Sequence, residues 1–156
     1  MKGEAHAVAI GNGAQHSMMF TSRMEESITV TLPAGLPTAE RIITVAVGVA
    51  GGASATGSAT AGVNFSLQVG SVTGTLSRHS PGEWMLGGAA NPNIVSSPIL
   101  DGRTLRVTSV IPGSRVVQIT AQLQGTAFAL ATLAAGSGMA DVNGFAGSMR
   151  LSLIHI

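Results

Sequence analysis

Residues 41–78 read RIITVAVGVAGGASATGSATAGVNFSLQVGSVTGTLSR, and no charged side chain lies between Arg41 and Arg78. The stretch is long enough to span a bilayer. However, Thr, Ser, Asn and Gln are frequent, and the central AGGASATGSATAG is too polar and too glycine-rich for a lipid-facing helix. The two ends instead alternate apolar and polar residues. A period of two with β-branched residues is typical of half-buried strands.

This alternation predicts one strand at each end of the stretch. The apolar positions are Ile43, Val45, Val47 and Val49 at one end and Val63, Phe65, Leu67 and Val69 at the other. We interpret the glycine- and serine-rich piece at 50–62 as a flexible loop that joins them. A linker between two domains is the alternative, but both flanking strands are too short to begin separate cores.

The same alternation recurs along the rest of the chain. Further strands are predicted at SITVTL (27–32), RTLRVTSV (103–110), VQITAQLQ (117–124), TAFALATLA (126–134) and GSMRLSLIHI (147–156), with shorter ones at 5–10, 16–21, 72–77 and 83–87. About ten short strands separated by turn residues indicate an all-β, antiparallel β-sandwich, and a jelly roll is the arrangement we expect. Residues 25–156 would form the sandwich, and residues 1–24 an N-terminal arm or the first strands.

The composition restricts the possible partners. Charged residues are only 10% of the chain and the net charge is +1, so no strong field attracts nucleic acid or a membrane surface, and we expect neither as a partner. Such a weakly charged surface suits packing against neighbours, because interface cores are depleted of charge. Residues 1–19 contain no sustained apolar run, so we expect no secretory signal and synthesis in the cytoplasm.

No catalytic or metal-binding pattern stands out. Without cysteine there are no disulfides, thiolate metal sites or cysteine nucleophiles. No histidine has metal-ligand spacing to another histidine or to a carboxylate, and the glycine runs lack the lysine and helix of a phosphate loop. An enzyme would require His79 to converge with Glu83 or Asp101. We therefore expect no enzymatic activity, no metal and no cofactor.

Candidate interface residues come from three features. The segment HSMMFTSRM holds Met18, Met19, Phe20 and Met24, which form either an adaptable contact patch or ordinary core. The neutral positions Thr44, Asn64 and Gln68 lie on the polar sides of predicted strands, where a face can meet a neighbour without burying a charge. Trp84 either closes one end of the core or lines a cleft for carbohydrate.

The strand pattern from Ser27 to Leu123 and the closing GFAGSMRLSLI at 144–154 resemble the jelly-roll decoration, or cement, proteins on the capsids of tailed bacteriophages. The resemblance is architectural and transfers no residue roles. It implies a structural virion protein on the outer capsid surface, made in the host cytoplasm, that forms a homotrimer and stabilises the shell by binding the major capsid protein. The alternative is a tail-fibre or receptor-binding, lectin-like module, which predicts an exposed aromatic-lined cleft around Trp84.

Overall fold

The computed structural model describes residues 1–11, 13–30, 40–88, 90–113, 115–131 and 137–155. These residues form ten strands and, within those ranges, no helix. The strands are β1 (Lys2–Ile10), β2 (Gln15–Val30), β3 (Glu40–Thr56), β4 (Ser58–Val69), β5 (Val72–His79), β6 (Met85–Gly87), β7 (Ile94–Ile99), β8 (Gly102–Pro112), β9 (Arg115–Leu130) and β10 (Ser137–His155).

The strands build two antiparallel sheets of five. Sheet A has the order β1-β10-β3-β8-β7, and sheet B has the order β2-β9-β4-β5-β6. The first strand pairs with the last, the second with the ninth, the third with the eighth, and β4 with β5. The strands therefore pair as in one long antiparallel hairpin that is rolled up, so that successive strand pairs lie alternately in sheet A and sheet B. This is the jelly-roll arrangement, and the predicted fold class is confirmed.

The core lies between the sheets and consists of the inward-facing half of each alternating pattern. The predicted apolar positions of β3 and β4 are at most 1% exposed, and Leu105, Val107, Ile119 and Leu123 from β8 and β9 are buried with them. Small side chains line the β1 side of the core, where Ala5, Ala7 and Ala9 face inward. Burial of the apolar face is the main stabilising term, as expected for a sandwich.

The predicted flexible loop at 50–62 is wrong. Strand β3 continues to Thr56 and β4 begins at Ser58, so only Gly57 separates them. The end of β3 pairs with β10, and the start of β4 pairs with β9. Small residues form strand here because a long partner strand already lies beside each piece. Gly57, with φ of +67°, passes the chain from sheet A to sheet B in a conformation that favours glycine.

Other strand boundaries also differ from the predictions. Residues 16–21 and 27–30 belong to one strand, β2, and residues 117–124 and 126–130 both belong to β9. The ends of these two predictions, residues 31–32 and 132–134, lie outside the described residues. Strand β7 has no alternating pattern and contains Pro98, which is tolerated because β7 is an edge strand. Residues 2–10 and 15–30 lie in β1 and β2, the neighbouring edge strands of the two sheets.

Candidate binding surfaces

Among the side chains described, the outer face of sheet B carries no charge over the central part of β9, β4 and β5, and we call it the amide–hydroxyl face. Its outward side chains alternate with the buried ones of β9, β4 and β5. The central members are Asn64, Ser66, Gln68, Thr73, Thr75, Ser77, Gln118, Thr120, Gln122 and Gln124. Amides and hydroxyls both donate and accept hydrogen bonds, so this face suits partners of either polarity.

Ionisable groups lie only at the borders of the amide–hydroxyl face, among the residues described. His79 lies over Gly62 at one end of β4 and β5. On the edge strand β2, Arg23 and Glu25 form an exposed ion pair with each other. A shallow depression of about 330 Å³ at the centre is lined by amides and hydroxyls, including Asn64, Gln122 and Gln124.

A cavity lies at one corner of sheet A, and we call it the tryptophan cleft. It has a volume of about 830 Å³. It opens where the β7–β8 hairpin ends beside β3, since β8 begins opposite Ala50 while β3 runs on to Thr56. The lining residues are Lys2, Glu4, Ala50, Gly51, Gly52, Arg78, Glu83, Trp84, Pro98, Ile99, Asp101, Gly102, Arg103, Asn143, Gly144 and Phe145.

Two aromatic rings line the tryptophan cleft. Trp84 is half-buried and packs against the core, and its indole N–H is buried without a hydrogen-bond partner among the described residues. Phe145 lies on the outer face of β10 and is 52% exposed. The receptor-binding alternative expects a cleft around Trp84, and the Trp84 ring both lines this cavity and packs against the core.

The charges in the tryptophan cleft are balanced and two of its cations are held in place. Arg78 donates from Nε to the Gly82 carbonyl at 3.1 Å and from an Nη to the Gly51 carbonyl at 3.0 Å. Arg103 donates from Nε to Ser96 Oγ at 2.7 Å. Three carboxylates, from Glu4, Glu83 and Asp101, line the same cavity. The cleft can thus offer fixed donors and acceptors together with aromatic surface.

A second cavity of about 460 Å³ adjoins the tryptophan cleft on the outer face of sheet A. We call it the arginine groove. It is lined by Ala46, Gly48, Ser97, Ile99, Thr104, Arg106, Gly147 and Arg150. Ala46 pairs with both Arg150 and Arg106, so the two arginines flank one small residue in a single cross-strand row. No carboxylate lines the groove.

The predicted interface residues fall into separate places. Asn64 and Gln68 lie on the amide–hydroxyl face, and Met19 lies on the outer face of β2 beside it. Thr44 lies on the opposite side of the sandwich, where its hydroxyl is 3.1 Å from that of Thr108. Trp84 lies in the tryptophan cleft.

The other candidate residues from the segment HSMMFTSRM face the interior of the sandwich. Phe20 and Met24 pack against the core, and the Phe20 ring fills the space that a side chain at Gly3 or Gly125 would need. Met18 points the same way but stays 47% exposed at the edge.

Residues suggested for an enzyme do not form one constellation in the structure. Glu83 and Asp101 line the tryptophan cleft, whereas His79 lies over Gly62 at the amide–hydroxyl face. His6 of β1 contacts Asp141 of β10, its register partner, at an exposed position. The described part of the chain has no group of three or more His, Cys, Asp or Glu side chains arranged to hold a metal ion.

The described ranges also contain no helix whose length and hydropathy would suit a bilayer crossing. Comparisons of the chain with protein-family models, curated proteins and solved structures found no significant match.

The arginine groove was missed at the level of sequence because its two arginines are 44 positions apart and lie on different strands. Arg103 and Arg106 both lie in the predicted strand RTLRVTSV. Because these two arginines are three residues apart, an odd number, they point to opposite faces of a strand. This spacing would have assigned them to different surfaces.

Proposed function

We propose that this chain is a structural virion protein that decorates a phage capsid and cements the shell as a homotrimer bound to the major capsid protein. The observation that carries this proposal is the amide–hydroxyl face, which carries no charge over the central part of β9, β4 and β5 among the side chains described. Buried charge is costly at an interface, whereas amides and hydroxyls lose little when a partner supplies hydrogen bonds. The trimer would act by repeated contact area and by multivalent attachment to the shell.

The size of the face is adequate for a stable contact. Strands β4 and β9 are paired over the whole of Ser58–Val69, which corresponds to a length of about 40 Å. With β2 and β5 on either side, four strands cover about 20 Å in width, and the product is about 800 Å². That is close to the area that each partner contributes to an interface of standard size.

A threefold ring needs two different surfaces on each copy, because each interface is heterologous. We assign the amide–hydroxyl face as the first surface. The second is the β1–β2 edge, which carries the exposed apolar side chains of Val8, Ile10, Met18 and Met19. Ile10 is 76% exposed and Met19 is 66% exposed, and apolar edges of this kind are typical of contact sites.

The test is the mass of the purified protein in solution by light scattering, followed by co-sedimentation with empty capsids assembled from the major capsid protein of the same genome. Asn64→Asp and Gln122→Glu each place a charge on the amide–hydroxyl face without changing its shape. We expect each to weaken association by about tenfold or more, since the carboxylate loses its water. Asn91→Asp, the same chemical change between β6 and β7 at the opposite edge of the sandwich, keeps the acceptor for the Asn93 N–H and should leave the mass unchanged.

Mixing two damaged variants tests the ring itself. Asn64→Asp retains an intact β1–β2 edge, and Ile10→Glu retains an intact face. A mixture should therefore form dimers through the one intact pair of surfaces, but no closed trimer. A stable monomer for the unaltered protein, without capsid binding, would contradict the proposal.

One observation favours a second candidate function, the tail-fibre or receptor-binding module. The tryptophan cleft combines a half-buried indole, an exposed phenyl ring and fixed polar groups in one cavity. Such a combination is typical of small-ligand sites. Saturation by a soluble saccharide, observed as chemical-shift changes of the Trp84 indole and of Phe145, would support this function, and the absence of such changes across a saccharide panel would exclude it.

A further inference from the structure

The tryptophan cleft and the arginine groove are neighbouring cavities, and we call the two together the depression. They share Ile99 in their walls. Phe145 is in register with Ala50 of β3, and the arginine row is in register with Ala46. Four residues along a strand separate the two rows by about 14 Å. An elongated ligand can therefore contact the aromatic part and the basic part at once.

The two arginines of the groove differ from Arg23, Arg78 and Arg103 in their contacts with the residues described. Arg23 is paired with Glu25, and Arg78 and Arg103 donate to oxygens of the fold. By contrast, Arg106 and Arg150 are exposed, and neither has a hydrogen bond or an ion pair within the described ranges. Two guanidinium groups about 10 Å apart at their Cα atoms, over a floor of Ala46 and Gly48, are well placed for a carboxylate between them.

The tryptophan cleft has no net charge to attract a second acidic group, because its three carboxylates are balanced by Lys2, Arg78 and Arg103. Its carboxylates, Asn143 and fixed arginines all form hydrogen bonds with hydroxyl groups. Aromatic rings contribute apolar surface for the C–H faces of a sugar. The cleft thus favours a neutral, hydroxyl-rich unit, while the groove favours an anion.

We propose that this depression binds an acidic oligosaccharide, with neutral hydroxyl-rich units in the tryptophan cleft and a uronic or sialic acid carboxylate between Arg106 and Arg150. The proposal rests on the second candidate function and names its ligand class. It does not depend on the amide–hydroxyl face, which lies on the other side of the sandwich. An acidic peptide or a nucleic acid is less favoured because its further charges would extend into a cleft with as many carboxylates as cations, which gives them no net attraction.

The experiment uses the whole chain and two matched probes, tetragalacturonate and its fully methyl-esterified form, with tetrasialic acid and its esters as a second pair. Binding is measured by calorimetry and by chemical-shift changes at Ala46, Gly48 and Ser97. We expect the acid to bind at least about tenfold more tightly than the ester. Arg106→Gln and Arg150→Gln should each remove most of that preference and leave binding of the ester unchanged.

Two control variants separate local from general effects. Arg23→Gln removes the same charge from β2, outside the depression, and should leave both affinities as they are. Phe145→Ala, at an exposed position, should weaken acid and ester alike. Retention of the acid preference in the Arg106→Gln/Arg150→Gln double variant would overturn the carboxylate site.

The outcomes also distinguish this inference from the function on which it rests. Equal binding of acid and ester would overturn the carboxylate site but leave a saccharide-binding module in place. Absence of binding by either form of both probes would overturn both. Binding of tetraglutamate as tight as that of tetragalacturonate would assign the depression to an acidic peptide and overturn the saccharide proposal.

Discussion

The two outer faces of the sandwich are built from the same alternating strands, yet they differ in shape and charge. On sheet B, β4 and β9 are paired without interruption for twelve residue pairs, and the exposed face is level and neutral. On sheet A, a register shift between Ala146 and Met149 interrupts the pairing of β10 with β3, and β8 begins opposite Ala50. Cavities therefore arise where the register is broken and where neighbouring strands end at different positions.

The charged residues are distributed unevenly between the same two outer faces. The outer face of sheet A carries Lys2, Glu4, Asp141, Arg106 and Arg150, whereas the amide–hydroxyl face has none over its central part among the side chains described. A level neutral face suits extended contact with another protein, and a furrowed charged face suits a smaller ligand. The difference between the faces matches the two contacts proposed above, one on each side of the molecule.

The largest effect is expected in the core that both faces share. Phe65 is fully buried between the sheets, while its neighbour Asn64 points outward from the same strand. Phe65→Ala should lower the free energy of unfolding by about 3–5 kcal/mol, because it leaves a cavity. Asn64→Ala should change it by less than about 0.5 kcal/mol. Urea denaturation of both variants measures the difference, and similar midpoints would contradict the alternation of β4.

Two glycines of sheet A, one facing the core and one facing outward, allow the packing of the two sides of the sheet to be compared. A Cβ at Gly144 would lie 3.0 Å from Val63 Cγ2 and 3.1 Å from Leu123 Cδ1, both in buried residues. Gly144→Ala should therefore destabilise the fold by about 1–2 kcal/mol through overpacking.

Gly48 faces outward, and a Cβ there would meet only Ile99 Cδ1 at 3.5 Å. Gly48→Ala should be neutral or stabilising by up to about 1 kcal/mol. Thermal unfolding of both variants checks the contrast, and a loss of stability in Gly48→Ala as large as that in Gly144→Ala would show that the groove floor is not open.

Salt distinguishes the two proposed contacts by their chemistry. Binding of an acidic saccharide to Arg106 and Arg150 should weaken severalfold as the salt concentration rises from 0.05 to about 0.5 M, because exposed charges are screened. Self-association through the amide–hydroxyl face should be nearly unaffected, since its central residues carry no charge and Arg23 and Glu25 on β2 neutralise each other. Calorimetry and light scattering over one salt series give both values. A steep salt dependence of self-association would assign the trimer contact to sheet A instead.

The fold class was predictable because burial on one side of a sheet imposes a period of two, and β3, β4 and β9 retain that period throughout their apolar residues. The segment 50–62 was not predictable in the same way. Its small residues bury little surface and carry no periodic signal, and they are extended because β10 and β9 lie beside them. Strand β7 was not predicted for a related reason. Because it is an edge strand, its sequence has the least need to alternate between apolar and polar residues.

The binding surfaces were predictable only in part. The neutrality of Asn64, Ser66 and Gln68 was visible in the sequence, because residues of one strand share a face by parity alone. The arginine groove and the tryptophan cleft depend on the register between β3, β8 and β10. Nothing local to Arg106 or Arg150 specifies that register, which is set by the packing of the whole sandwich.

The smallest effect concerns a polar pair on the outer face of sheet A. Thr44 and Thr108 are register partners and half-buried, with their hydroxyl oxygens 3.1 Å apart. Thr44→Val should cost about 0.5 kcal/mol, because one cross-strand hydrogen bond is lost and water can still reach the remaining hydroxyl. In Thr44→Val/Thr108→Val no hydroxyl is left unpaired, so its stability should return close to that of the unaltered protein. A double-mutant cycle in urea measures this coupling, and additive losses would show that the two hydroxyls are solvated separately, as on the face of sheet B.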